Sequence, residues 1–260
     1  MLVAADIDNT RVAVGVFDGA ELRASFTLAT DLRRTEDEYA FLLAGLLREH
    51  GVAVADVGGA ALASVVPALS DTLVHVAERL FGMAPLVVGG GARTGIRIAT
   101  QNPREVGENR IVNAVAAFHL HGGPAIVVDF GTATSFDVIG DDGAYLGGAI
   151  APGLALGAEA LTDRAARLFR VELSAPRLVV GRGTGSALQS GIVLGHACMV
   201  EGMVQRIQDE TNCEHVVVAT GEFAPLVLPY IRRGVQFVEP HLSLVGLRLL
   251  AELNAVGSGA

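Results

Sequence analysis

One strand-and-turn pattern occurs twice in this chain, and it restricts the possible folds more than any other feature. Residues 5–14, ADIDNTRVAV, carry an apolar strand into an acid, then the turn-tolerant Asp8-Asn9-Thr10, then a second alternating strand. Residues 127–138, VVDFGTATSFDV, repeat that plan, so that Asp129 corresponds to Asp6. The likeness continues beyond the turns. In the first half, strands over 3–7, 11–17 and 21–30 precede a helix over 36–50. Its Tyr39, Leu42, Leu43, Leu46 and Leu47 share one face, and Thr35 and Glu38 have capping-box spacing. The buried strand GAALASVVP and a helix over 70–81 follow. PLVVGG gives a further strand, and a third helix begins near Gly107. In the second half the order is AIVVDF, a second strand, AYLGGAIAP, helices over 154–168 and 185–210, and the buried strand of HVVVATGEFA. A repeat of this length implies a duplicated domain rather than a solenoid. The expected architecture is α/β: two copies of strand–strand–strand–helix–strand–helix, each a mixed sheet flanked by helices, with a ligand cleft between them. Punctuation at HGGP gives domains 1–118 and 119–260.

Composition narrows the function classes. Hydrophobic residues make up 51% of the 260, ample for a core and against disorder. A formal net charge of -9 without any Lys/Arg block argues against a nucleic-acid or anionic-membrane surface. Cys198 and Cys213 have no CxxC spacing and fit reduced thiols better than a disulfide or metal pair. The N-terminus lacks a basic region ahead of Asp6, so a signal peptide is not expected. Apolar runs such as GIVLGHACMVEGMV are broken by Gly, His and Glu short of the roughly 18–20 residues of a membrane helix, and that segment is expected to be core or a dimer face. These features together point to a soluble, cytoplasmic protein.

The two turns differ in chemistry. The first offers Asp6, Asp8, Asn9 and Thr10; carboxylates alone repel phosphate, and make sense beside it only with a cation between, as where Mg²⁺ is held by one or two carboxylates plus substrate phosphates. The second pairs Asp129 with Gly131 and the hydroxyls of Thr132, Thr134 and Ser135. There glycine permits close approach of backbone N–H groups and hydroxyls add donors, which suits phosphate oxygens. Asp and Asn also favour turns for purely local reasons, but a turn does not need an acid ending the preceding buried strand in both halves. Other signals have plainer readings. GRGTGSALQSG lacks the P-loop spacing and reads as a loop and helix start. Gly89-Gly90-Gly91 reads as a flexible connection, and Arg164, Arg167 and Arg170 as a solvated face. His119 and His121, two apart on a helix, do not share a face as a metal pair would.

Taken in order, the motifs resemble the type III pantothenate kinases of the acetate and sugar kinase, heat-shock 70 and actin superfamily. They are DIDNT, SVVP at 64–67, NPREVGENRIVNAVAA, VVDFGTATSFDV, GGAIAPGL at 147–154, ALQSG at 187–191, ATGEFA and HLSLVGL at 241–247. The resemblance runs nearly end to end and implies duplicated ribonuclease-H-like (actin-like) domains. It implies phosphorylation of pantothenate by ATP to 4′-phosphopantothenate, the first step of coenzyme A biosynthesis, with Mg²⁺ and a monovalent cation (K⁺ or NH₄⁺), in a homodimer. By position, Asp6 and the loop through Asp8, Asn9 and Thr10 would meet ATP phosphates and metal. Asp129 would hold the monovalent cation, and Gly131 and Thr132 would touch ATP. Gly107, Glu108, Asn109 and Arg110 would line the pantothenate pocket, and Thr184 would contact substrate near the dimer interface.

The motifs depart from the family pattern at four positions. Asn109 stands where the family has the Asp of its catalytic motif, Asp8 where it has Gly, Gly183 where it often has Asn, and Glu222 at the second Gly of T-G-G. An amide can orient a hydroxyl but cannot accept its proton. Glu108 points about 100° away from Asn109 around a helix and does not simply replace the missing acid. The alternative expectation is therefore a catalytically weak or inactive homologue acting as a ligand-binding or regulatory protein.

Overall fold

The computed structural model describes residues 1–89, 91–165 and 168–255. Gly90 of the expected connection and Arg167 of the expected arginine face lie outside the described residues. The chain forms two compact units: 1–97 with 101–116 and 241–260, and 98–100 with 117–240. It therefore does not divide at a single point between 118 and 119, because the C-terminal segment returns to the first unit.

In the first unit, β1 (Leu2–Ile7), β2 (Arg11–Asp18), β3 (Glu21–Ala29), β4 (Gly59–Ser64) and β5 (Leu86–Val87) form a sheet in the order β3-β2-β1-β4-β5. The β1–β2 and β2–β3 pairs are antiparallel; β1–β4 and β4–β5 are parallel. Strand alternation assigns the two faces. Val3, Ala5 and Ile7 of β1 enter a core with Tyr39, Leu43 and Leu47 of α1 (Glu36–Glu49) and Leu69, Leu73 and Val76 of α2 (Pro67–Phe81). The capping box of α1 is present, with Glu38 N donating to Thr35 Oγ1 at 3.3 Å and Thr35 N donating to Glu38 Oε2 at 2.7 Å. Ala4, Ala61 and Ala63 face the other way, against Val112 of α3 (Glu108–His121) and Leu244, Leu247 and Leu250 of the C-terminal helix, Leu242–Ala255. Small residues on this face let the helices come close. A Cβ on Gly246 of the C-terminal helix would collide with the Val112 carbonyl of α3. Asp6 shares this second face with Leu2 and Ala4, by the two-residue strand period.

The second unit repeats the plan with β6 (Ala125–Phe130), β7 (Ala133–Ile139), β8 (Tyr145–Pro152), β9 (Val216–Thr220) and β10 (Phe237–Val238) in the order β8-β7-β6-β9-β10, strand for strand the counterpart of the first sheet. Ile126, Val128, Phe130 and Phe136 pack on Val193, Ala197, Val200 and Val204 of α5 (Thr184–Thr211), with α4 (Leu154–Arg164) and the short α6 (Ala224–Val227) completing the layer. The helix expected over 154–168 ends at Arg164. Helix α5 corrects another expectation: despite its Gly, His and Glu, it is 28 residues long and contains an 18-residue stretch with a mean hydropathy of 1.2, long and apolar enough to cross a bilayer. A third of that stretch is buried, on the face where Val193, Val200 and Val204 join the core of this unit. Numbering the C-terminal helix in chain order makes it α7. Cys198 and Cys213 are free, exposed thiols.

Candidate functional site

The first turn sits at the C-terminal end of β1. Asp8 N donates to Arg11 O at 2.8 Å and closes the hairpin, and Thr30 Oγ1 donates to Asp8 O at 2.6 Å. Asp8 Oδ1 accepts from Asn9 N at 2.7 Å and from Asn9 Nδ2 at 3.3 Å, so this acid shapes its own turn, while Asn9 and Thr10 are exposed. Asp6 is different. The residue keeps some exposure, but its Oδ1 is out of water and has no hydrogen-bond partner among the described residues. Burial pushes its pKa from the ordinary 3.8 to about 6; a hydrogen bond from Ser243 of α7 works against that, Asp8 adds to it and Arg11 opposes it. A buried carboxylate oxygen without a donor is costly unless a cation supplies the missing charge.

The start of α3 adjoins the end of β1 by way of Val65, within the same unit. Val65 N donates to Ile7 O at 3.0 Å, and a Cβ on Gly107 would meet Val65 Cγ1 at 3.8 Å and Asn109 Oδ1 at 3.0 Å. Asn109 therefore folds over Gly107, and its Oδ1 accepts from Arg110 N at 2.9 Å. Glu108 points elsewhere, toward Gly89. The structure thus places Gly107 and Asn109 beside Val65, which is hydrogen-bonded to the end of β1 that carries the first turn, and adds Ser243 to Asp6. The sequence offered no signal for Ser243 beyond its place in HLSLVGL, since the bond to Asp6 is made from the far end of the chain.

In the second unit, Gly131 and Thr132 form the β6–β7 turn, with Gly131 N donating to Ala133 O at 3.1 Å. Thr132 Oγ1 is buried without a partner among the described residues. The other two hydroxyls expected beside it are committed elsewhere. Thr134 Oγ1 lies 2.8 Å from His196 Nε2 of α5, and Ser135 Oγ donates to Asp137 Oδ2 at 2.8 Å. Successive strand residues face opposite ways, so Thr134 and Ser135 cannot serve one ligand. His196 is kept neutral, its pKa lowered to about 4 by burial. Asp129, one residue before the end of β6, is engaged with a neighbour, and Gly221 after β9 lies against it: at φ +98, a Cβ there would sit 2.5 Å from Asp129 Oδ1 and from Phe130 N. Only glycine tolerates both the conformation and the contact. Gly153 at the head of α4 closes on the same turn, its N–H donating to Thr132 O at 3.2 Å. From there a cavity of about 460 Å³ runs between α4 and α5, lined by Gly153, Leu154, Leu161, Leu188 and His196 and reached by the exposed Thr184.

His121 is paired with Glu239 at 3.0 Å and stacked on Phe237. Among the described residues no group of three or more His, Cys, Asp or Glu side chains is placed to hold a metal.

Two copies of this sheet and helix order, each with an acid at the same strand end, define the actin-like, ribonuclease-H-like class. Solved structures bear this out at the level of fold: the activator of 2-hydroxyisocaproyl-CoA dehydratase from Clostridium difficile (TM-score 0.58, 13% identity, 99% of this chain and 96% of that one) and the ROK hexokinase from Thermus thermophilus (TM-score 0.50, 16% identity, 98% and 99%). A family model described as type III pantothenate kinase matches residues 2–206. A type III pantothenate kinase from Moorella thermoacetica is 46% identical over 254 residues, 98% of this chain and 100% of that protein. The chain belongs to the type III pantothenate kinase family.

Proposed function

We propose that the protein transfers the γ-phosphoryl group of ATP to the primary hydroxyl of pantothenate, giving ADP and 4′-phosphopantothenate, the first step of coenzyme A biosynthesis in the cytoplasm. The near full-length identity to the Moorella protein supports the reaction. The observation in the site that carries the reading is the Asp6 carboxylate, desolvated and with Oδ1 lacking a donor. Such an oxygen fits a cation. Mg²⁺ is commonly held by one or two carboxylates together with substrate phosphates, and Asp6 supplies one. When bound, the ion neutralises charge on the transferring phosphoryl group.

The chain's own residues supply position. Asp6 would hold the metal, and Asp8, through its turn, presents Asn9 and Thr10 to the ATP phosphates. The Thr132 hydroxyl donates to a phosphate oxygen beside Gly131, whose lack of a side chain lets the ATP phosphates approach, and Asp129 holds a monovalent cation, K⁺ or NH₄⁺. Gly107, Glu108, Asn109 and Arg110 line the pantothenate pocket, and Thr184 meets the substrate where a second subunit approaches. Exposed apolar residues of the second unit, Ile150, Leu178, Val179 and Val180, support a homodimer. Asn109 orients the attacking hydroxyl without taking its proton. Phosphoryl transfer through a loose transition state relies on positioning and charge neutralisation more than on a base, so turnover persists with an amide there.

The test is pantothenate-dependent ADP release with Mg²⁺ and K⁺, for the native chain and for Asn109→Asp. Native turnover is expected, with the substitution raising kcat by up to about 10²-fold, the scale of a general base. A native chain that binds ATP yet releases no ADP would overturn the proposal and favour a binding protein.

A further inference from the structure

At the end of β1 remote from Asp6, the first unit holds a second cavity, of about 610 Å³. Its walls are mostly apolar: Leu2 and Phe17 from the sheet, Met83 and Leu86 beyond α2, and Ala251 of α7. Into this setting α7 brings Arg248. Its side chain is only 10% exposed, and its guanidinium lies 5.9 Å from the centre of the Phe17 ring. One arm is paired: Nη1 donates to Glu252 Oε1 at 2.6 Å. Nε is buried and has no acceptor among the described residues.

A guanidinium carries five N–H donors in a flat fork that matches the two oxygens of a carboxylate. Here a single oxygen occupies it, and that oxygen belongs to a side chain that is 54% exposed and free to return to water. A buried donor without an acceptor costs free energy; Nε is closed to solvent where it stands, and a turn of the guanidinium away from Glu252 into the cavity lets a ligand oxygen recover that cost. The adjoining apolar walls favour a hydrocarbon body on the same molecule. Asp18 at the mouth is exposed and disfavours a bare anion, which leaves the tail to supply much of the affinity.

We infer that this cavity is a binding site for a monocarboxylic acid with an apolar tail, its carboxylate seated on the Arg248 fork in place of Glu252 and its chain lying along Leu2, Phe17 and Met83. The site is built from residues outside the proposed phosphotransfer machinery, so its test is independent of kinase activity.

Calorimetric titration of the full chain with butanoate, hexanoate, octanoate and octanol, followed in parallel by the methyl resonance of Met83, decides the matter. Affinity is expected to rise about threefold per added methylene until the cavity is filled. Octanoate is expected to bind at least about tenfold more tightly than octanol, the neutral molecule of the same length. Glu252→Gln, at an exposed position, removes the charge that competes with the ligand for the fork and strengthens octanoate binding several-fold. Arg248→Met keeps the apolar stem against Phe17 and abolishes the preference for octanoate over octanol. Equal affinity for octanoate and octanol, an unchanged affinity in Glu252→Gln, or no binding of any of the series at millimolar concentration overturns the inference; the first two readings stand even if Arg248→Met does not fold.

Discussion

Replacing Asp6 by asparagine should stabilise the ligand-free protein at neutral pH while removing its hold on a metal–nucleotide complex. In the folded chain burial raises the Asp6 pKa to about 6, against 3.8 ordinarily. The native state then holds the proton more tightly than the unfolded chain does, so stability is greatest below pH 4 as far as this group is concerned, and falls as the pH rises through about 6. At about 1.4 kcal/mol per pH unit the full gap corresponds to about 3 kcal/mol, which the residual exposure of the residue reduces to about 1–2 kcal/mol. The side chain introduced by Asp6→Asn carries no charge and still accepts from Ser243. Its amide leaves a buried N–H₂ without an acceptor, a cost of about 1 kcal/mol that does not vary with pH. The carboxylate penalty does vary, so the pH profile separates the two. Thermal melts of both chains between pH 4 and pH 8 are the assay. The variant's melting temperature, relative to native, is expected to climb by about 3–6 °C across that range, at about 2–4 °C per kcal/mol. A difference that is flat with pH would show that Asp6 is not held in a desolvated, unpartnered state, and the argument for a cation beside it would fail.

Two further outcomes follow from the second unit. Gly221→Ala combines a left-handed backbone with a Cβ against Asp129 Oδ1 and Phe130 N; it should cost about 3 kcal/mol or more in a urea melt, and a cost below about 1 kcal/mol would mean that the turn relaxes freely. His196, lowered by burial to about 4, contributes stability that is complete above pH 6.5 and is lost as the pH falls toward 4. In His196→Gln the acid-induced loss between pH 7 and pH 4.5 should shrink by about 2 kcal/mol, and an unchanged pH profile would place the imidazole in water.

Much of this architecture is legible in the chain because the signals are local. Each acid closes an apolar strand immediately before its turn, and the Thr35–Glu38 spacing announces the start of α1. Duplication makes one half a check on the other, down to matching strand orders in the two sheets. The obscure parts are those made by distant packing. Ser243 reaches Asp6 only because α7 returns to the first sheet, and nothing near HLSLVGL says which sheet it will join. His196 takes the Thr134 hydroxyl from 62 residues away, so that hydroxyl looks free in sequence and is not free in the fold. Asp8 is an acid whose local bonds the sequence does not show: its Oδ1 accepts from Asn9 N and Asn9 Nδ2 within the turn. The glycines packed against the second turn are plain in the sequence, but their necessity is a matter of neighbours: Gly153 against Thr132, and Gly221 against Asp129.

Calorimetric titration of a non-hydrolysable ATP analogue, with and without Mg²⁺, into the native chain and Asp6→Asn bears most directly on the metal–phosphate role given to the first turn. Native protein is expected to bind at least about tenfold more tightly with Mg²⁺ than without, and the substitution to erase that difference. Equal Mg²⁺ dependence in the two chains would contradict it.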